Sequence, residues 1–391
     1  MILIYVIFSL DIINGYCFNA AFIRKTLELG GSFTFLGVAG FFASTLSFFW
    51  KPTAGSLGDR NGPSKLLTPC ILANLLAFTC TYFSNSLTHL LLCRLILAFS
   101  SPTQSLLRTI VTNTSKTQQS ENLAKLGIAM PISVIIASLA YGQLSELPNG
   151  VHYIFAIITA NASISLTISK LLPKETPRVL QTRSTLSEIQ SSLRKLRSLS
   201  TSGAYWDVFL IKALAALSFG AIESNGVLIF EAKGFTGKNA GYLMTVMFVT
   251  VFLTNVSQVK INRRFYSDDT GYLRLSHASA FIIICMLVQG FNESAWVFGL
   301  FVVISGIGRC VLEQSMMELL LSKVEGDEKG MLLGSFDSIQ SVTELFVPLL
   351  SGVTLEFLGL PALFAVSSIL LSLECALAYS RRNVGNLKKV N

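Results

Sequence analysis

Ten ionisable side chains fall inside stretches that are otherwise apolar, and their types and spacing point to the handling of charge within a membrane. Arg309 and Glu313 stand four residues apart on one helix face, where they either neutralise each other or present charge together. Asp337 and Glu344 share a face at a spacing of seven and are candidate proton sites, since a carboxylate buried there could load a proton near neutral pH. Asp11 lies in the middle of the first stretch with no cation near it in sequence. That suits it either to binding a proton or cation or to a hydrogen bond with a neighbouring helix. Arg94 is a turn or two from the end of its stretch, so it either reaches into a cavity or snorkels to the interface. Glu223, beside Ser224 and Asn225, has the makings of a substrate contact or of a structural knot. Lys212, Glu318 and Glu374 read as interfacial or structural. Each charge costs roughly 2.5–3.5 kcal/mol at a helix centre, so the set must line water, pair, or reach the helix ends. Seven of the ten are acids, a balance that favours a cationic or weakly basic solute, or protons.

The elements that carry these charges follow from composition. Of 391 residues, 51% are hydrophobic and 13% charged, with mean hydropathy +0.59. Soluble domains carry about 25% charged residues, so lipid is the expected solvent. The apolar material falls into twelve blocks near the ~20 residues that cross a bilayer. Backbone in lipid must satisfy its own hydrogen bonds, so the blocks are helices and the fold class is an all-α membrane protein. The polar stretch 173–203 divides the blocks six and six: an N-terminal half over 1–172, a C-terminal half over 204–380 and a tail over 381–391. Leu186, Ile189, Leu193, Leu196 and Leu199 recur at helical spacing in the divider, which suggests an amphipathic helix lying on the membrane surface. The first block lacks a basic leader and carries Asp11, so it reads as a span rather than a signal peptide. A short cytoplasmic segment ahead of Met1 is expected to be missing.

The formal net charge of +8 is a topology signal and does not point to nucleic acid. Lys and Arg concentrate in the loops and flanks that share a side with both termini, placing the termini in the cytoplasm. The seven cysteines lie in or at apolar blocks without a C-x-x-C pair and read as small buried hydrophobes. His89, His152 and His277 are scattered, and neither a phosphate loop nor a nucleophile elbow occurs, so neither an enzyme nor an ATP-driven pump is supported. No metal and no cofactor beyond a proton gradient is expected.

Between the second and third blocks, Gly55-Ser56-Leu57-Gly58-Asp59-Arg60-Asn61-Gly62 reads as a short charged turn bracketed by glycines. The pattern G-x-L-x-D-R-x-G resembles the loop between spans 2 and 3 of the major facilitator superfamily. The halves also echo each other, with Arg94 in the fourth block and Arg309 in the tenth. Four further stretches are similar to solute carrier family 22, in particular its organic-cation-transporter-like members, which are likened to bacterial tetracycline exporters. They are Phe209–Ala213, Ala240–Met244, Gly330–Gly334 and Phe357–Pro361.

The resemblance implies two pseudo-symmetric six-helix halves that alternate access to a midplane site, with spans 1, 4, 7 and 10 lining the cavity. Seven of the ten charges lie on those spans, which makes Asp11, Arg94, Glu223, Arg309 and Glu313 the cavity candidates. It further implies a proton-linked carrier of small organic solutes, working as a monomer, with a proton-coupling role for Arg94. Gly55, Asp59, Arg60 and Gly62 would form a conformational switch. Pro63 and Ser64 stand where the family carries Arg and Lys, and Ala137–Gly142 replaces the antiporter glycine-proline signature of span 5. Carrier activity without proton coupling, and a membrane scaffold that kept the fold, are the competing readings.

Overall fold

The computed structural model describes residues 1–114, 119–172, 205–265, 271–323 and 329–382. The amphipathic stretch within 173–203 and the tail beyond 382 lie outside the described residues, as do the side chains of Asp59 and Asp337. All regular elements among the described residues are helices. In chain order they are α1 (Ile2–Glu28), α2 (Phe33–Asn61), α3 (Pro63–Tyr82), α4 (Leu87–Ala98), α5 (Thr103–Thr114), α6 (Gln119–Ser145) and α7 (Gly150–Lys170). They continue with α8 (Trp206–Glu223), α9 (Gly226–Ala232), α10 (Gly237–Phe265), α11 (Tyr272–Phe291), α12 (Ala295–Ser322) and α13 (Lys329–Arg381).

Ten segments are long and apolar enough to cross a membrane singly, and the pair α8–α9, bent by 53°, makes an eleventh. Helix α13 has 53 residues and breaks at Gly359, where φ is +80°. At 1.5 Å per residue an unbroken helix of that length would reach about 80 Å, more than twice a bilayer core, so Gly359 joins spans 11 and 12. The twelve expected spans are therefore present. Span 4, read as one block, is divided: α4 stops at Ala98 and α5 starts at Thr103. Carbonyls freed at the break are taken up by span 2, with Trp50 Nε1 donating to Phe99 O at 2.7 Å and Ser47 Oγ to Ala98 O at 3.4 Å.

The glycine-framed turn is also corrected. Helix α2 runs through Gly55, Gly58, Asp59 and Arg60 to Asn61, and the chain turns only at Gly62, with φ +91° and ψ 128°. Pro63 then opens α3 with a fixed φ and no N–H to waste. At Gly55 a methyl carbon would meet nothing within 4 Å, so that glycine serves no close approach here.

The chain forms two compact units. The first contains the described residues up to 172 together with Phe235–Thr245. Phe18 of span 1 is its centre, with ring centroids 5.3 Å from Phe78 of span 3 and 6.0 Å from Phe155 of span 6. Such pairs contribute about 0.5–1.5 kcal/mol each, which matters in lipid, where apolar burial alone does not draw helices together. Arg24 and Lys25 belong to the last turns of α1; Arg24 Nη1 donates to Ser145 O at 3.0 Å.

Within this unit the start of α10 lies on the end of α6 along a glycine seam. A methyl carbon on Gly241 would stand 2.5 Å from Ser138 O, and one on Gly142 2.9 Å from Gly237 O. Gln143 Nε2 donates to Tyr242 Oη at 3.0 Å, and the hydroxyls of Ser138 and Thr245 meet at 3.2 Å. Glu146 accepts from Lys238 N at 2.9 Å, at the positive end of α10. A hydrogen bond from the Thr236 side chain, then Lys238 N–H and the charges of Lys238 and Arg24, hold the Glu146 carboxyl below its usual range.

The second unit contains the described residues 205–234 and 246–382. Its core includes Phe298 of span 10 between Phe230 and Phe364, at centroid distances of 5.8 and 6.4 Å. One end is clamped by Asp207 in the first turn of α8. Lys323 Nζ donates to both carboxylate oxygens at 2.8 and 2.9 Å, and Tyr272 Oη donates to Oδ2 at 2.5 Å. That knot ties spans 7, 9 and 10, and Arg274 of span 9 pairs with Glu318 of span 10 beside it. Glu374 of span 12 is fully buried and bonded to Ser279 of span 9. Of the cysteines, Cys80 is exposed and Cys375 half-buried, while the other five are buried.

Candidate functional site

Span 7 is interrupted where Glu223 sits. Helix α8 ends at Glu223, Ser224 and Asn225 form the joint, and α9 departs at 53°. Asn225 Nδ2 donates to Ala221 O at 3.1 Å, and the Ser224 hydroxyl meets Ser351 of span 11 at 3.2 Å. The two polar residues beside Glu223 are thus occupied by the break and by span 11, which leaves Glu223 the outward-reaching member of the three.

Glu223 reaches across to span 10 and pairs with Arg309 Nη1. Arg309 Nε also donates to Glu313 Oε1 at 3.0 Å, one turn along its own helix. The i,i+4 pairing expected of Arg309 and Glu313 is present, and the third member comes from another helix. Arg309 Cζ lies 4.9 Å from the ring centroid of Phe219, one turn before Glu223. The side chains of Arg309, Glu223 and Glu313 are 33%, 54% and 51% exposed, so the group opens onto a solvated space. Facing lipid, three such charges would be prohibitive. Next to them, Cys310 Sγ lies 2.9 Å from Asn255 Oδ1, and Gln314 Nε2 donates to the same oxygen.

In the first unit Asp11 is half-buried and accepts from Asn74 Nδ2 of span 3 at 3.1 Å, with Gln104 of α5 as a second amide partner. Arg94 Nη1 donates to Asn19 Oδ1 at 2.7 Å, and its guanidinium lies over Phe22 and Phe18, 5.3 and 5.7 Å from their centroids. No carboxylate pairs with Arg94 among the described residues. On span 11, Glu344 accepts from Gln340 Nε2 at 3.2 Å on its own helix. Lys212 sits over Phe336 at 5.1 Å.

Several residues of consequence escaped sequence reading. Asn19 and Asn74 were signalled only as amides inside apolar spans. Asp207 and Lys323 lie 116 residues apart, and nothing local links them. Phe219 is one phenylalanine among 28. The seam does unite two stretches that stood out separately, Ala137–Gly142 and Ala240–Met244.

Residues 4–337 match the family described as the Major Facilitator Superfamily. A curated relative, the MFS-type transporter ppzB of Metarhizium rileyi (strain RCEF 4871), is 29% identical over 97 residues. That match covers 25% of this chain and only 20% of the relative's length. Among solved structures, the human organic anion transporter MFSD10 (TETRAN) superposes with a TM-score of 0.65 at 18% identity, covering 96% of this chain and 98% of that one. The nucleoside transporter NupG gives 0.72 at 14% identity, covering 97% and 98%. A bacterial homologue of the human lysosomal transporter Spinster, in an inward-facing and occupied conformation, gives 0.75 at 14%, covering 97% and 96%. Identities this low carry the fold alone.

Proposed function

Because this chain belongs to the major facilitator superfamily, a family of transporters and not of enzymes, we propose that it is a secondary active carrier of small organic cations. In this reading solutes cross by alternating access, and protons move the other way as the energy source, without cofactor or metal. The protein works as a monomer in the bilayer with both termini in the cytoplasm. The resemblance to organic-cation-transporter-like proteins favours this reading.

The observation that carries it is the Glu223–Arg309–Glu313 group on spans 7 and 10, two carboxylates for one cation, all three partly exposed. A net negative site concentrates cations and repels anions. Asp11, held by neutral amides, is the group in the first unit available to exchange a proton, and Glu344 and Asp337 are secondary proton sites. Arg60 and its glycine-rich surroundings, from Gly55 to Gly62, serve as the conformational switch. Arg94 favours a second reading. With no carboxylate partner among the described residues, it suits a solute that carries a negative group, in line with the name of the human structural neighbour.

The test is proton flux in proteoliposomes containing a pH dye, with a panel of organic cations added outside and Asp11→Asn run beside wild type. Cation-dependent pH change that vanishes in Asp11→Asn is the expected result. Labelled solute entering without a pH change would make the protein a uniporter. Silence in both, from folded protein, would leave a scaffold.

A further inference from the structure

The site on spans 7 and 10 has the parts of a receptacle for an organic cation, and the chain's own guanidinium fills it. Four features converge on Arg309. Glu223 supplies a carboxylate from one helix and Glu313 a second from another, 3.0 Å from Nε. The face of Phe219 lies beneath at 4.9 Å, the attractive side of the ring for a cation. The interrupted span 7 ends α8 at Glu223, and an α-helix C-terminus carries partial negative charge. An amine or guanidinium on a solute would ask for these same ligands. Arg309 is held by flexible partners at one-third to one-half exposure, in contrast to the Asp207 clamp, whose carboxylate is buried. Half-exposed ion pairs exchange partners at small cost.

We infer that Arg309 is a tethered stand-in for the solute: a solute cation displaces its guanidinium from Glu223 and Phe219, while the bond to Glu313 on the same helix persists. The bridge between spans 7 and 10 is then made by Arg309 when the site is empty and by the solute when it is full. This rests on the cation reading above and adds to it the chemistry of the competing group. It also assigns specificity. Planar or compact cations that stack on one ring and reach one carboxylate compete, whereas anions have nothing to displace.

The experiment measures ethidium binding by fluorescence anisotropy to the full-length protein in nanodiscs, for wild type, Arg309→Ala, Arg309→Gln and Glu223→Gln. Removing the internal competitor is expected to tighten ethidium binding about five-fold, the size of a half-exposed ion pair. Glu223→Gln is expected to weaken it by a similar factor or more. Methylguanidinium, added alone, is expected to raise the thermal midpoint of Arg309→Ala and to compete with ethidium there, and to do both about five-fold more weakly in wild type, where it must displace Arg309. A merely structural ion pair would give the opposite pattern, with weaker ethidium binding in both Arg309 variants. Arg309→Gln serves if the alanine variant misfolds. Ethidium binding to wild type that neither Arg309 variant tightens overturns this inference and leaves the cation reading intact. No ethidium binding to any folded variant overturns the cation reading, and this inference with it.

Discussion

Alanine at Gly241 tests the glycine seam between α6 and the start of α10. The new methyl carbon would stand 2.5 Å from Ser138 O and 3.3 Å from Gly142 Cα. Carbon and oxygen do not approach that closely, and the obstruction is backbone, so no side chain can rotate out of the way. The two segments must separate by about half an ångström or more, and overpacking on this scale costs about 1–3 kcal/mol. In a closed core, unfolding would be the only relief. In the alternating-access reading proposed above the seam parts, and on that reading the cost falls on the equilibrium between the seated and parted arrangements, about 5–150-fold.

Spin labels at Leu147 and Asn239, both exposed beside the seam, would report this as a distance distribution by pulsed electron resonance. Wild type should give one short distance, and Gly241→Ala a second, longer population with little change in thermal midpoint. Gly127→Ala is the control. It lies on the same helix as Gly142 with nothing within 4 Å of an added methyl carbon, so it gains the same helix propensity without the collision. An unchanged distribution in folded Gly241→Ala, or the same change in Gly127→Ala, would refute the reasoning.

Three other outcomes follow from the structure. Gly62→Ala forces a side chain into φ +91° and should cost about 1–3 kcal/mol in thermal unfolding, whereas Gly55→Ala, helical and uncrowded, should be neutral or slightly stabilising. Glu146 is held below its usual range, so its contribution is complete above the unfolded carboxyl value and is lost as pH falls toward the folded one. Thermal midpoints measured downward from neutral pH should therefore fall less for Glu146→Gln than for wild type; parallel curves would contradict this. Asp207→Asn leaves Lys323 without its buried partner, with an expected loss of about 2–3 kcal/mol, scaled down because Lys323 is a quarter exposed. Asp207→Asn with Lys323→Met should recover part of that loss in a double-mutant cycle.

What could be read from the chain was whatever depends on period and length. Twelve apolar blocks became twelve spans because a backbone in lipid has few alternatives. Arg309 and Glu313 met because four residues is one turn, a local rule. Glu223 joined them only through the packing of span 7 on span 10, which no spacing encodes. The breaks were hidden because Phe99–Pro102 and Ser224–Asn225 lie inside apolar runs, and their freed carbonyls are satisfied by distant or adjacent side chains. The turn was misplaced for the converse reason. Gly55 and Gly58 look like breakers, yet a glycine costs a helix only about 1 kcal/mol, and helical hydrogen bonding beyond Pro52 outweighs it until Gly62 and Pro63. For Arg94 and Asp11 the spans were evident from sequence, but their amide partners Asn19 and Asn74 were not singled out among other asparagines.

The break at Gly359 bears on how the protein is made. With a single non-helical residue between spans 11 and 12, there is no linker to thread through the translocation channel after the first span has left it. Span 11 brings Asp337 and Glu344, and span 12 brings Glu374, charges that partition poorly into lipid one helix at a time. Both features favour release of the pair together, as a helical hairpin, over release of one span at a time. Glu374 bonds to Ser279 on span 9, which is synthesised earlier, so the hairpin of spans 11 and 12 docks onto helices that precede it in the chain.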